Sequence, residues 1–221
     1  MDGMQTLDRG DGVQLAYSFQ PGRGPTVVFL PGYKSDMAGT KAVDLAEFCA
    51  ARGQAYLRLD YSGHGASGGN FMDGTIGVWL ADALKVINHA TTGPLVLIGS
   101  SMGGWIALLA ALALRERVAG LVGIAAAPDF SESLVWEELS FEERTEVMDK
   151  GFIMRPNPYG DDYPFTRALI EDGRTRLLLD KSIALTCPVR MLHGQADNEG
   201  PWELSLRVAE GEIYAFLGPN G

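Results

Sequence analysis

Five short apolar runs punctuate the chain: Thr26–Leu30 (TVVFL), Ala55–Leu59 (AYLRL), Leu95–Ile98 (LVLI), Val118–Ala126 (VAGLVGIAA) and Val189–Leu192 (VRML). They are rich in Val, Leu and Ile and mostly do not alternate with polar residues, as strands buried on both faces read. Patterns of helical period lie between them. Ile76, Trp79, Leu80, Ala83, Leu84 and Ile87 fall at i, i+3, i+4, i+7, i+8 and i+11 and form one apolar face. Thr40–Arg52, ended by Gly53, and Met102–Leu114 also read as helices. Pro201–Glu210 opens with a proline suited to the first helical position and stops at Gly211. Ahead of them all, Met4–Leu7 and Val13–Phe19 flank Asp11-Gly12 as an antiparallel hairpin. This alternation predicts an α/β fold with a mostly parallel, doubly wound sheet.

Between Pro128 and Lys181 the rhythm changes. Asp129–Asp149 is acidic and amphipathic, with Leu134, Val135, Leu139, Val147 and Met148 at its apolar positions, and a Pro/Asn/Gly/Tyr-rich stretch, Arg155–Pro164, follows. The segment interrupts the strand–helix alternation and predicts either a helical cap over the sheet edge, at about 129–181, or a plain extra helix pair. No internal repeat or low-complexity segment is present.

Composition narrows the function. Apolar residues make up 46% and charged residues 21%, an ordinary globular balance, and 28 acidic against 18 basic groups give a formal charge of −10. Without a Lys/Arg cluster, neither a nucleic acid nor an anionic membrane surface is an expected partner. No apolar stretch approaches the ~20 residues of a spanning helix, and Met1-Asp2-Gly3-Met4-Gln5 has neither the basic start nor the apolar run of a signal peptide. Cys49 and Cys187, far apart, offer no disulfide framework or metal-ligand spacing. The expected compartment is cytoplasmic; oligomeric state has no signal here.

The chemistry concentrates in Leu95–Gly104, LVLIGSSMGG. Gly99-Ser100-Ser101-Met102-Gly103 matches G-x-S-x-G, after an apolar run and before an Ala/Leu-rich helix, the setting of a nucleophile elbow. A strand reversing sharply into a helix leaves the serine strained with Oγ exposed, and side chains two residues either side would collide, so glycine stands there. Ser100 is the neighbouring alternative, but the motif places Ser101 at the apex. Met102 would donate its backbone N–H to a developing oxyanion at the helix start. The second donor comes from the loop after the earlier core strand, Leu30-Pro31-Gly32-Tyr33, with the Tyr33 N–H as candidate.

The chain resembles an α/β-hydrolase. More narrowly, it resembles the bacterial relatives of the mitochondrial acyl-protein thioesterase and acyl-glucuronide esterase, through Phe29–Thr40 (FLPGYKSDMAGT), Arg58–Gly68 (RLDYSGHGASG), Ile98–Trp105 (IGSSMGGW) and Leu192–Trp202 (LHGQADNEGPW). The resemblance runs from about Thr6 to Ala209. It implies a serine hydrolase that cleaves carboxylic esters or thioesters, of small molecules or acyl-proteins, with no cofactor and no metal. It also implies that Asp197, after the late strand, is the triad acid orienting the base; an Asp capping the helix near Pro201 is the plainer use.

Chain order in this fold is Ser, Asp, His, and no histidine follows Asp197. Instead Gly211–Gly221 (GEIYAFLGPNG) resembles the strand and opening of the phosphate-binding loop of ATP-cassette transport proteins, without the lysine such a loop needs. The expectation is a hydrolase domain over 1–210 with its closing strand and helix truncated or replaced by a foreign tail at 211–221, within which Ile213–Leu217 could occupy the vacant last-strand position. His193, His64 and His89 read as structural, with His64 the nearest to a substitute base by loop position. The enzyme is therefore expected to be impaired. A non-catalytic binding module that keeps the pocket is the rival reading, and a nucleotide-binding transport component a third.

Overall fold

The computed structural model describes residues 3–157, 161–197 and 200–208, and the backbone of 216–217. The opening hairpin forms as expected: β1 (Met4–Asp8) pairs antiparallel with β2 (Gln14–Gln20). The core strands follow as β3 (Arg23–Leu30), β4 (Gln54–Leu59), β5 (Leu95–Ser100), β6 (Val118–Ile124) and β9 (Val189–Gly194). With β10 (Phe216–Leu217) they build an eight-stranded sheet in the order β1-β2-β4-β3-β5-β6-β9-β10, parallel from β4 onward. Of the tail strand predicted at Ile213–Leu217, Phe216 and Leu217 do extend the sheet, parallel to His193 and Gly194. Ile213–Ala215 and the remainder of the phosphate-loop resemblance lie outside the described residues.

Helix α1 (Thr40–Arg52) ends at Gly53, whose left-handed φ of 62° caps it. Helix α2 (Ile76–Ala90) starts at Thr75, which accepts from Val78 N–H. Helix α3 (Met102–Ala113) is buried almost all round, and α2 and α3 pack the main core, led by Trp79, Trp105, Leu57 and Leu97. The helix expected at Pro201–Glu210 starts later, at Glu203, so Pro201 precedes it and is not its first residue; it is described as α6 (Glu203–Val208), with Ala209, Glu210 and Gly211 outside the described residues.

The expectation of strands buried on both faces is corrected on the far side of the sheet. Along β5, Leu95, Leu97 and Gly99 are buried while Val96, Ile98 and Ser100 are half-buried; β6 repeats this with Val122 and Ile124. The covering helix there, α1, lies over Val27, Phe29 and Tyr56 and reaches only as far as Ile98. The apolar run is blind to this because Val and Ile suit an open face as well as a closed one.

The segment after β6 is more than a helix pair. It holds a π-helical turn (Ser131–Trp136), α4 (Phe141–Lys150), an antiparallel hairpin of β7 (Phe152–Arg155) and β8 (Tyr163–Thr166), and α5 (Arg167–Arg174). Val135, Leu139 and Val147 are buried and Leu134 is half-buried, as their apolar character suggests. Met148 departs from the pattern: it is 42% exposed, because α4 turns only its Val147 side inward.

Candidate active site

In an open α/β sheet the ligand crevice forms where consecutive connections leave in opposite directions. Here that point is β3: the chain passes next to β4 on one side and then crosses to β5 on the other. The loops leaving β3, β5 and β6 are also where the backbone is most strained. Among the described residues four non-glycine positions adopt positive φ, Lys34, Ser101, Ala125 and Asp129, and all lie in those loops.

Ser101 stands at the turn between β5 and α3 with φ 53° and ψ −122°. Its N–H donates to Ile124 O (3.0 Å), and its carbonyl accepts from Gly104 N–H (2.8 Å) and Ala127 N–H (3.1 Å), which pins the strained peptide while the side chain stays exposed. The flanking glycines are required sterically. A Cβ on Gly99 would lie 2.2 Å from Gly103 O, and one on Gly103 would lie 2.0 Å from Leu30 O. Ser100 is the last residue of β5 and lines a cleft of ≈ 190 Å³ with Phe29, Gly32, Asp36 and Lys41.

The loop after β3 reaches the serine directly: a Cβ on Gly32 would come within 3.3 Å of Ser101 Cβ. Gly32 O accepts from Ser35 N–H (3.1 Å), closing a turn around Tyr33 and the left-handed Lys34. Among the described residues neither the Tyr33 N–H nor the Met102 N–H meets a protein acceptor. Met102 opens α3, so its N–H carries the positive end of that helix. The Tyr33 ring is held in place: it stacks on Phe165 (centroids 5.2 Å, 14°), and its hydroxyl donates to Pro164 O. Burial raises the phenol's pKa, so it remains a donor throughout the physiological range.

Asp197 lies just after β9, half-buried. One carboxylate oxygen is 3.6 Å from His193 Nε2 and the other accepts from Gly200 N–H (3.3 Å). Thus the structure brings Asp197 to His193, four residues before it, and its contact to Gly200 closes a local turn ahead of α6, which begins at Glu203. His193 is buried, with Nδ1 2.7 Å from Ser205 Oγ and Nε2 3.1 Å from Gly200 O. His64 is also buried, with Nδ1 3.3 Å from Ser62 O and Nε2 accepting from Lys34 N–H at 3.3 Å. His89, in the last turn of α2, is exposed and edge-on to Tyr17. Among the described residues no histidine nitrogen lies within hydrogen-bond reach of Ser101 Oγ. The chain's three histidines are all accounted for by these contacts.

Two acidic residues that no sequence pattern singles out shape the site from behind. Asp60, buried, accepts from Met37 N–H (2.7 Å) and Ala66 N–H (2.8 Å), tying the loop after β3 to the loop after β4. Asp129, buried at φ 60°, accepts from Leu178 N–H (2.9 Å) and Leu179 N–H (2.8 Å), where the inserted segment returns to the sheet. Asp60 lies within the quoted stretch Arg58–Gly68, but no motif assigns either residue a role. The one available signal is position, an Asp at the C-terminal end of a predicted strand. Among the described residues no three His, Cys, Asp or Glu side chains converge as a metal site would require, and no helix is long and apolar enough to cross a membrane.

A family model described as serine aminopeptidase, S33, matches residues 23–148. The palmitoyl-protein thioesterase ABHD10, mitochondrial, of Homo sapiens is 41% identical over 208 residues, which cover 92% of this chain and 67% of that protein. Two solved structures are similar throughout. The α/β-hydrolase domain-containing protein 10 from mouse is 37% identical with a TM-score of 0.89, covering 99% of this chain and 90% of that one. A putative hydrolase from Agrobacterium vitis is 38% identical with a TM-score of 0.90, covering 98% and 90%. The strained serine between β5 and α3, the crevice at β3 and these similarities agree: the chain belongs to the α/β-hydrolases, as an enzyme of the hydrolase type related to the ABHD10 thioesterases.

Proposed function

We propose that Ser101 is the nucleophile of an esterase or thioesterase reaction. Its Oγ attacks the acyl carbon of a carboxylic ester or thioester, including one borne by an acylated protein. The Met102 and Tyr33 N–H groups receive the oxyanion, the Ser101 proton passes to solvent water, and an acyl-serine forms as the ester or thioester bond breaks and the alcohol or thiol leaves, taking up a proton from solvent. The carrying observation is Ser101 itself, strained at φ 53° and exposed, beside two N–H groups that no protein acceptor uses. The thioester side of the reading is supported by the relatives, named as palmitoyl-protein thioesterases. We assign Asp197, just after β9, as the triad acid from the family resemblance; the imidazole beside it is the buried His193.

Among the described residues no histidine nitrogen is hydrogen-bonded to Ser101 Oγ, and slow hydrolysis by this polypeptide is part of the proposal. Removing the histidine of a serine-protease triad costs about 10⁶ in kcat, with ~10³–10⁴ over water retained by the rest of the site. Hydrolysis of p-nitrophenyl butyrate and of a short acyl thioester, beside Ser101→Ala, tests both parts. Slow hydrolysis that Ser101→Ala abolishes is expected. Turnover at ordinary enzyme rates refutes the impairment, and equal rates in both proteins refute the hydrolase. Saturable binding that is untouched by Ser101→Ala, with no acyl adduct, identifies a binding module instead.

A further inference from the structure

His64 lies in the loop after β4, not in the loop after β3, yet its described hydrogen bond outside its own loop is to a backbone group of the latter, the Lys34 N–H at 3.3 Å. The two contacts of the ring fix its tautomer. Nδ1 faces the Ser62 carbonyl, which can only accept, so Nδ1 carries the proton; Nε2 faces an N–H, so Nε2 is the acceptor. The ring cannot swing away. Tyr61 and Trp79 meet it edge-on at 5.5 and 5.1 Å, Phe71 packs at 4.9 Å, and Trp79 Nε1 also donates to Ser62 O (3.1 Å).

The group held by His64 is one that needs holding. Lys34 has φ 53°, a left-handed conformation that is unfavourable for a residue with a Cβ. It is the residue after Tyr33 in the turn that Ser35 N–H closes on Gly32 O. A turn with its third residue left-handed differs from the commoner form by rotation of the central peptide, here the one joining Tyr33 to Lys34. An acceptor on Lys34 N–H selects the left-handed form. Lys34 is secured by its side chain too, with Nζ donating to Asp162 O (3.4 Å) and 5.9 Å from the Phe71 ring.

We propose that His64 is the positioning residue of the oxyanion hole: its neutral imidazole, accepting from Lys34 N–H, locks the Tyr33–Lys34 peptide and with it the Gly32–Ser35 turn, whose preceding peptide carries the Tyr33 N–H that faces the carbonyl oxygen of an acyl group at Ser101. This rests on the assignment of Ser101 and Tyr33 above. It gives His64 a role in the reaction without any proton transfer to or from Ser101.

The test follows acylation of Ser101 by p-nitrophenyl butyrate, read by intact mass, in the native chain, His64→Gln, His64→Leu and Ser101→Ala. A glutamine carbonyl can accept where Nε2 does; leucine fills the aromatic box and accepts nothing. The expected result is acylation slowed about 100-fold in His64→Leu, the scale of one lost oxyanion donor, and largely restored in His64→Gln. Two controls accompany it: near-UV circular dichroism for folding, and exchange of the Lys34 amide, which should quicken in His64→Leu but not in His64→Gln. Leucine acylating at the native rate overturns the proposal, as does glutamine acylating as slowly as leucine while both are folded. If His64→Leu does not fold, long-range ¹H–¹⁵N spectra of the native imidazole decide, and an Nε2-protonated ring overturns it. Absence of a Ser101 adduct in the native chain counts against the hydrolase reading instead, and unchanged Lys34 exchange in His64→Leu then counts separately against the positioning role.

Discussion

Gly99 and Gly103 face each other across the elbow so closely that a methyl on Gly99 would stand 2.2 Å from the Gly103 carbonyl oxygen. The contact is to backbone, which cannot step aside as a flexible side chain can. Gly99→Ala and Gly103→Ala should each cost at least about 3 kcal/mol or prevent folding, since both force backbone shifts in the most tightly packed turn of the sheet. Urea denaturation checks this, and a loss under about 1 kcal/mol at either position contradicts the geometry.

The Asp129 carboxylate is the anchor of the returning insertion. Asp129→Ala strands the Leu178 and Leu179 N–H groups and removes a residue type tolerant of φ 60°. A loss of about 2–4 kcal/mol is expected on the scale of buried donors left without partners. Amide exchange should quicken at Leu178 and Leu179 well before β3 or β5 responds. Uniform protection in the variant argues that the anchor lies elsewhere.

Stability should fall as the solution is acidified through the range of His64. Burial is the dominant influence and lowers its pKa from 6.5 to about 4, against the smaller opposing pulls of Ser62 O and Asp36. Between those values the unfolded chain binds more protons than the folded one, so the contribution is complete above about 6.5 and shrinks toward 4. The whole shift corresponds to about 3 kcal/mol. Urea midpoints of the native chain minus those of His64→Gln should decline from pH 7 to pH 4.5, and a flat difference would falsify the burial argument.

Tyr33→Phe keeps the stack on Phe165 and deletes only the hydroxyl that donates to Pro164 O. About 1 kcal/mol of stability should go, the ordinary net worth of such a bond. Faster exchange confined to β8 and the turn at Lys34 is the accompanying sign that the hairpin and the loop after β3 are fastened together at this residue.

Much of this architecture could be read from residues whose spacing has one physical use. Gly99, Ser101 and Gly103 stand where a strand must turn into a helix without side-chain collisions, and Gly53 where a helix must stop. The β7–β8 hairpin escapes such a reading, because Pro164 interrupts the β8 pattern and its apolar partners, Tyr33 and Phe130, are remote in sequence. The open face of β5 and β6 is equally hidden, since Val96 and Ile98 are as apolar as Leu95 and Leu97. His64 illustrates the remaining gap: it reads as structural, with its loop position making it the nearest substitute base, and the structure commits both of its nitrogens to backbone. Only tertiary contact shows which of the two a buried imidazole is.

The most direct test of Ser101 as the nucleophile is a time course of intact mass after mixing with p-nitrophenyl butyrate. Attack by Ser101 and attack by water both give up a proton to the solvent when no base takes it, but nitrophenolate leaves far more readily than the serine alkoxide, so acylation outruns release of the acyl group. The predicted result is a butyryl group that accumulates on Ser101, persists after the free ester is gone, and is absent in Ser101→Ala. Sustained rapid turnover with no persisting adduct, or adducts unaffected by Ser101→Ala, would contradict it.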